Sequence, residues 1–362
     1  MLSFGDLVPA LPGAGPACPL PSLVADDELA RGLAWARRLV DADRSAGTLD
    51  KYYRNWALFV HWLGTARPQL DPCPAHPAAI GIYIGVLRDR GLTKTTILGY
   101  VAAIVYVHQV AGVPSPVNEA TIRRELAGLR RQADADRQDR AALEREAATA
   151  MVATLLTTIR AQPGGPTLYD LRDVAMFTLG WLSALRRSTI AALRRCDVVI
   201  KRDDLYHRRY LEIFVAASKT DQERAGRHVI VNELPIHEPL CALRALETWL
   251  GATPDRDLAS PLFPTFAGRA SGGHLTDRPI DGRDVARAVK RIATKAHTAG
   301  LDVDPAVLAA HALRRGFATS AINKGVRRSL VRHHGGCKTD AMLDRYTRVD
   351  ESRDNAVGDL FE

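Results

Sequence analysis

The sequence predicts a mainly α-helical protein of two domains, the second carrying a small three-stranded antiparallel β-sheet. Three observations lead there. A chain of 362 residues suggests two domains of ordinary size. Apolar residues recur at helical spacing over most of its length. Three short runs, Asp197 to Ile200, Tyr210 to Ala216 and His228 to Val231, are instead apolar or alternating and rich in β-branched residues, as strands are.

Residues 1–26 are rich in Pro, Gly and Ala and read as a flexible tail. Gly13-Ala14-Gly15 in that stretch follows no strand and leads into Pro16, so it is not a phosphate loop. From Asp27 to Arg131 the pattern is helical, beginning with Leu29, Leu33, Ala36 and Leu39. A second helix starts near Ser45 or Thr48, each an N-cap candidate, with Tyr52, Trp56, Phe59, Val60 and Leu63 on one face. Pro77 opens a third, which Gly91 ends. Thr93 caps a fourth, with Ile97, Tyr100, Val101, Ile104 and Val107 as its buried stripe, and a fifth runs from Glu119 to Arg131.

Residues 132–145 are strongly charged, have no apolar stripe and read as an exposed linker. The second domain, 146–350, opens with a helix through Met151, Leu155 and Ile159, then an apolar helix from Tyr169 to Leu185. The three strands follow. Helices resume at Leu240 to Leu250, Gly282 to Thr298 and Pro305 to Asn323, with a final pair before a tail over 351–362.

Composition narrows the function. With 46% hydrophobic and 25% charged residues, wholesale disorder and collagen-like repetition are excluded. Lys and Arg exceed Asp and Glu by 49 to 41, and the isoelectric point near 9.4 favours a polyanionic partner. Five dispersed cysteines, with no C-x-x-C pair, argue against a disulfide framework or structural zinc. No signal peptide and no stretch of membrane-spanning length are evident, so the expected location is cytoplasmic, with no membrane partner.

Four segments carry chemistry. Leu185-Arg186-Arg187 closes the apolar helix, and Lys219 sits in the turn between the second and third strands. His311 and Arg314 stand one helical turn apart in HALRRGFATS, aimed at one point. Tyr346 lies between Arg345 and Arg348 near the end of GGCKTDAMLDRYTRV. Singly, each has a commoner structural meaning. Together and in this order they resemble the tyrosine recombinases of the phage integrase family, whose members carry an Arg in a G-L-R-x-S-E-L-type segment, a Lys in a β-hairpin, H-x-L-R-x-x-F-A-T, and R-Y-T near the end. TLDKYYRNWALFVHWL and GLTKTTILGYVAAIVYVHQVAGVPSP are similar to that family's helical, SAM-like core-binding domain.

The resemblance implies a tyrosine recombinase catalytic fold, a nucleophilic Tyr346, and a 3′-phosphotyrosine formed without ATP, metal or other cofactor. The residues make physical sense in those roles. A phenol with an ordinary pKa of ~10 needs help to lose its proton, and the added charge of the transition state needs neutralising. Arg186 and Arg314 suit a phosphate because each presents a planar charged fork. Lys219 suits a general acid for the departing 5′-oxygen, and His311 exchanges protons near neutral pH. The family also implies a double-stranded DNA partner with a specific recombination site, gripped between the two domains, and nucleoid association. It further implies a homodimer on each site, a homotetramer in synapsis, accessory DNA-bending or directionality proteins, and a C-terminal tail exchanged between protomers.

Two positions depart from the pattern. Thr189 stands where members usually have Glu or Asp. Cys337 stands nine residues before the nucleophile, where His or Trp is usual, and a thiol is a weak donor. His334, one turn earlier, is expected to face solvent. Residues 311–350 hold nine Arg or Lys against three Asp, a local surplus beside Tyr346. Thr93, Lys94, Thr95, Arg123, Arg124, Arg130, Arg131, Arg187 and Arg315 are the candidates for DNA contacts. Two other readings stay open: a weakened or inactive DNA-binding protein of the same fold, and type IB topoisomerase-like strand relaxation.

Overall fold

The structure, a computed structural model, describes residues 44–66, 70–131, 142–205, 207–216, 226–268, 274–337 and 339–347, without the side chains of 46 and 345–347. The expected tail 1–26, the helix around Leu29 to Leu39, most of the 132–145 linker, Lys219 and the tail 351–362 lie outside those residues. The chain divides into two compact units, 1–138 and 139–362.

The first unit is helical throughout its described residues: α1 (Ala46–Ala66), α2 (Pro77–Asp89), α3 (Lys94–Val110), a 3-10 turn (Pro116–Asn118) and α4 (Ala120–Arg131). Ser45 Oγ accepts from Thr48 N at 3.3 Å and starts α1. Gly91, at φ +75°, supplies the left-handed turn after α2, which L side chains resist. The helical stripes meet in one core of Phe59, Leu63, Ile80, Tyr83, Leu87, Ile97, Ile104 and Ile122, so periodicity becomes packing directly. His108 is fully buried there. Its Nε2 accepts from Ala75 N and its Nδ1 donates to Ile104 O, both at 2.8 Å.

The second unit runs α5 (Arg145–Arg160), α6 (Leu168–Ser183), α7 (Arg187–Ala192), β1 (Val198–Asp203), β2 (Arg208–Val215), β3 (Arg227–Asn232), α8 (Ala242–Ala252), β4 (Pro264–Ala267), β5 (His274–Pro279), α9 (Gly282–Thr298), α10 (Ala310–Asn323), α11 (Arg328–Gly335) and α12 (Asp340–Thr347). The antiparallel sheet has the order β1-β2-β3, and its inward face of Leu211, Ile213, Val215, Val229 and Val231 is buried. α6 is the central element, with every residue from Val174 to Trp181 buried. Ion pairs tie it to α9: Asp170 to Lys295 at 2.6 Å and Asp173 to Arg291 at 2.7 Å.

Several boundaries differ from expectation. α10 begins at Ala310, five residues after Pro305, because residues 305–307 form a turn; His311 is therefore in its first turn. β1 continues through Lys201, Arg202 and Asp203, whose polar side chains hid the pairing to β2. The β4–β5 hairpin was not expected at all. Its stacking of Phe266 on Tyr169, at 4.0 Å between centroids, joins residues far apart in sequence. Leu143, in the segment expected to be exposed, is buried. Its carbonyl accepts from Trp181 Nε1 at 2.9 Å.

Candidate active site

The site is built where three pieces of the second unit converge. The first is the turn between α6 and α7. α6 ends at Ala184, which takes the left-handed conformation (φ 50°), so the chain reverses sharply and sets Arg186 at the N-cap of α7. Thr189, at the third position of that helix, donates its backbone N–H to Arg186 O at 2.9 Å.

The second piece is α10. Arg314 is buried on it, only 2% exposed, and holds the α6–α7 turn by donating from Nη1 to Ala184 O at 2.7 Å. Its Nη2 donates to Cys337 Sγ at 3.1 Å. A guanidinium this deep is costly unless its donors are met, and these two contacts fix its fork against both neighbouring pieces. His311 stands exposed one turn earlier.

The third piece is the turn from α11 to α12. α11 ends in Gly335-Gly336, with Gly336 at φ +62°, and delivers Cys337 to Arg314. α12, which carries Tyr346, is docked on its own chain. Leu343 is buried against Ala318 and Val331, Arg332 pairs with Asp340 at 3.2 Å, and Arg328 pairs with Asp344. Two of the nine basic residues counted around Tyr346 are thus engaged in holding its helix.

A third guanidinium enters that the sequence pattern did not single out. Arg227, the first residue of β3, donates from Nη1 to His334 O at 2.9 Å and His333 O at 3.3 Å. Burial, then the charges of Arg314 and Arg186, hold its pKa below the usual arginine value. The strand pattern carried a signal: Arg227 shares the inward face of Val229 and Val231.

Other expectations resolve differently. His334 does not face solvent. Its ring stacks on Phe317 at 4.7 Å between centroids and Nε2 donates to Leu182 O at 2.8 Å. Burial, then nearby Arg227, lowers its pKa, so at neutral pH it is an uncharged brace. Cys337 is buried and serves as an acceptor for Arg314. Lys219 falls outside the described residues, as does the Tyr346 side chain. Arg187 is exposed at the start of α7 and Arg315 is half-buried on α10. In the first unit Thr93 Oγ accepts from Thr96 N at 3.4 Å, capping α3. Lys94 and Thr95 follow it, and Arg123, Arg124, Arg130 and Arg131 are exposed along α4.

Fold and site together define a two-unit helical protein with arginines gathered beside a terminal tyrosine helix. The phage integrase family profile matches residues 148–353, more than half of the chain, and the chain belongs to this family of tyrosine recombinases, enzymes of DNA strand transesterification. An integrase/recombinase of Selenomonas ruminantium, a xerD homolog, is 27% identical over 330 residues, which cover 90% of this chain and 89% of that protein. A tyrosine recombinase of Synechococcus elongatus is 25% identical over 342 residues, 90% of each. Among solved structures, XerH site-specific recombinase bound to a palindromic difH substrate matches with TM-score 0.53 at 16% identity, over 83% of this chain and 77% of that one. A lambda integrase dimer bound to a COC′ core site matches with TM-score 0.52 at 16% identity, over 88% and 93%. At those identities the likeness is one of fold. No helix among the described residues is long and apolar enough to cross a membrane.

Proposed function

We propose that this protein is a site-specific recombinase or integrase that cuts and rejoins double-stranded DNA through a 3′-phosphotyrosine on Tyr346. The phenol oxygen attacks the scissile phosphorus, the phosphorus–O5′ bond breaks, and the 5′-oxygen leaves with a proton from Lys219. A second 5′-hydroxyl then attacks the phosphotyrosine and releases the phenol. One phosphoester is exchanged for another in each step, so the bond energy is retained. Arg186 and Arg314 hold the non-bridging oxygens, and His311 bonds a phosphate oxygen and exchanges protons, taking the phenol proton in the first step and returning it in the second, while Lys219 recovers its proton from the incoming 5′-hydroxyl.

The observation that carries this reading is the gathering of Arg186, Arg227 and Arg314 beside Cys337, where no carboxylate is among the groups acting on the Arg227 charge. Like charges crowded together are costly, and a phosphodiester brings an anion to them. The exposed arginines of α4 and the start of α3, with Arg187 and Arg315, contact the DNA backbone in this reading. The active assembly is a dimer on each site and a tetramer in synapsis.

The test uses a duplex that the protein itself selects from a random library, nicked beside each phosphate in turn. The wild-type chain is expected to yield a covalent adduct that survives denaturation, and Tyr346→Phe none. Tight binding with no adduct from either overturns the catalytic reading and leaves the non-catalytic DNA-binding protein, which Thr189 and Cys337 favour. Relaxation of supercoils with no recombinant from two sites would instead mean topoisomerase-like activity.

A further inference from the structure

Arg227 has a position that a purely structural arginine does not need. It sits at the foot of the β2–β3 connection in which Lys219 falls. One nitrogen, Nη1, is spent on the carbonyls of His333 and His334. These belong to the last turn of α11, which favours a positive charge, and the His333 carbonyl also accepts from Gly336 N at 3.0 Å. Among the described residues, Nε and Nη2 have no acceptor.

The turn beside it is shaped to admit it. A Cβ on Gly336 would lie 2.8 Å from Arg227 Cζ and Nη2 and 2.9 Å from Nε, closer than real Cβ atoms come, so a side chain there would displace the guanidinium. At the preceding Gly335 the Cβ position lies 3.9 Å from Arg314 Nη2 and 3.7 Å from Cys337 Sγ. The two glycines therefore separate, by about one residue of backbone, two guanidiniums of like charge.

Cys337 explains what the third cation could be for. Its sulfur already accepts from Arg314, and its S–H is a weak donor, so it offers a phosphate oxygen little. An arginine edge with two free N–H groups offers a charge-assisted pair of bonds.

We propose that Arg227 is a third guanidinium of the phosphate site, directing its Nε–Nη2 edge to a non-bridging oxygen of the scissile phosphate and supplying the donor that Cys337 does not. This rests on the reading of Tyr346 and the arginines as a strand-transfer site. It assigns Arg227 two tasks, pinning the end of α11 with Nη1 and neutralising phosphate charge with the opposite edge. Only the second depends on the charge of the substrate.

The experiment measures adduct formation at saturating DNA on the same nicked, self-selected duplex, made either with the natural phosphodiester or with an uncharged methylphosphonate at the scissile position. Wild type, Arg227→Gln and Arg227→Lys are compared. Arg227→Gln is expected to slow the natural diester by about 10²-fold, with the DNA dissociation constant changed less than about threefold, because one contact among many is lost. Its rate on the neutral diester relative to the charged one is expected to exceed the wild-type ratio at least tenfold. Arg227→Lys, which keeps the charge, should stay near the wild-type ratio. Because each ratio is taken within one protein, partial misfolding of a variant cancels. An unchanged ratio in Arg227→Gln, a wild-type rate in that variant, or no adduct on the neutral diester from any form overturns the proposal. If wild type forms no adduct on the natural diester either, the underlying strand-transfer reading has failed, which is a different result from an active enzyme indifferent to Arg227.

Discussion

Arg172 and Arg314 are both buried, on neighbouring helices of the same unit, yet their surroundings are opposite. Arg172 is 4% exposed. It lies over the rings of Phe266 and Tyr169, at 4.5 and 4.9 Å from their centroids, and donates to Pro264 O at 2.8 Å. Burial, and to a smaller extent the Arg291 charge, lowers its pKa, while Asp173, Tyr169 and Asp284 act to restore it. Arg314 has a carbonyl and a thiol among its partners at the α6–α7 and α11–α12 turns, and its charge and that of Arg186 both reach Arg227. A buried cation flanked by two rings, a carbonyl and nearby acids belongs to the fold, even with its Nε left without a partner. A buried cation with other cations as neighbours is suited to an anionic ligand.

The largest expected effect strikes the scaffold that both share. A Cβ on Gly316 would fall 1.7 Å from the Leu143 carbonyl oxygen, which is backbone and cannot rotate away. Gly316→Ala should push α10 off Leu143, break the bond from Trp181 and cost more than ~3 kcal/mol of stability in urea unfolding. A wild-type unfolding midpoint in this variant would show that the depth of α10 does not set the position of Arg314.

Removing each cation separates the two roles. Arg172→Met is expected to lose about 2 to 4 kcal/mol of stability, because it strands Pro264 O and gives up the cation–ring contacts with Phe266 and Tyr169, while the folded fraction still forms adduct. Arg314→Met should destabilise less than Arg172→Met, since relief of repulsion with Arg227 offsets part of the lost hydrogen bonding, yet reduce adduct formation by roughly 10³-fold. If Arg314→Met proves the more destabilising of the two, the contrast between them fails. Thr189→Glu converts one environment toward the other by placing a carboxylate three residues from Arg186. Adduct formation equal to or up to a few-fold above wild type is the expected outcome; a clear loss would mean that Thr189 does other work.

Much of this contrast was legible in the sequence, and the part that was not has a physical reason. Helical spacing located Phe59, Ile97 and Ile104 in their core, since a stripe on one helix has only one way to be buried. The strand pattern located the three-stranded sheet, and the grouped motifs singled out Arg186, Arg314 and Tyr346 as candidates. What escaped depends on contacts between distant residues. Arg227 meets His334 across 107 residues, and the inward turn of His334 depends on Leu182, 152 residues away. The β4–β5 hairpin was hidden by polar Thr265 and Thr276, whose hydroxyls satisfy each other at 2.6 Å, and by a proline at either end. Helical spacing also gave no sign that residues 305–307 would turn rather than wind into α10.

Buried His108 and half-buried His334 repeat the comparison on a smaller scale. His108 in the first unit has its pKa lowered by burial, against an opposing bond to Ile104 O. His334 has its pKa lowered by burial and also by Arg227, His333 and Arg314. Both are neutral when folded, so the unfolded chain takes up protons first as pH falls through about 6.5. The stability each contributes is complete above that pH and is lost below it. His108→Gln, which can still accept from Ala75 and donate to Ile104, should therefore lose less melting temperature than wild type between about pH 7.5 and about pH 5.5. An equal loss would mean that His108 does not drive the acid sensitivity. The two rings should part company when an anion binds. A phosphate among Arg227 and Arg314 cancels the charge that depresses His334 and raises its titration midpoint, whereas His108 has no cation among the causes of its shift and should not move. Proton NMR titration of the two rings, with and without the selected duplex, reads this directly. A His334 midpoint that stays fixed on binding would mean that the phosphate does not settle beside these arginines.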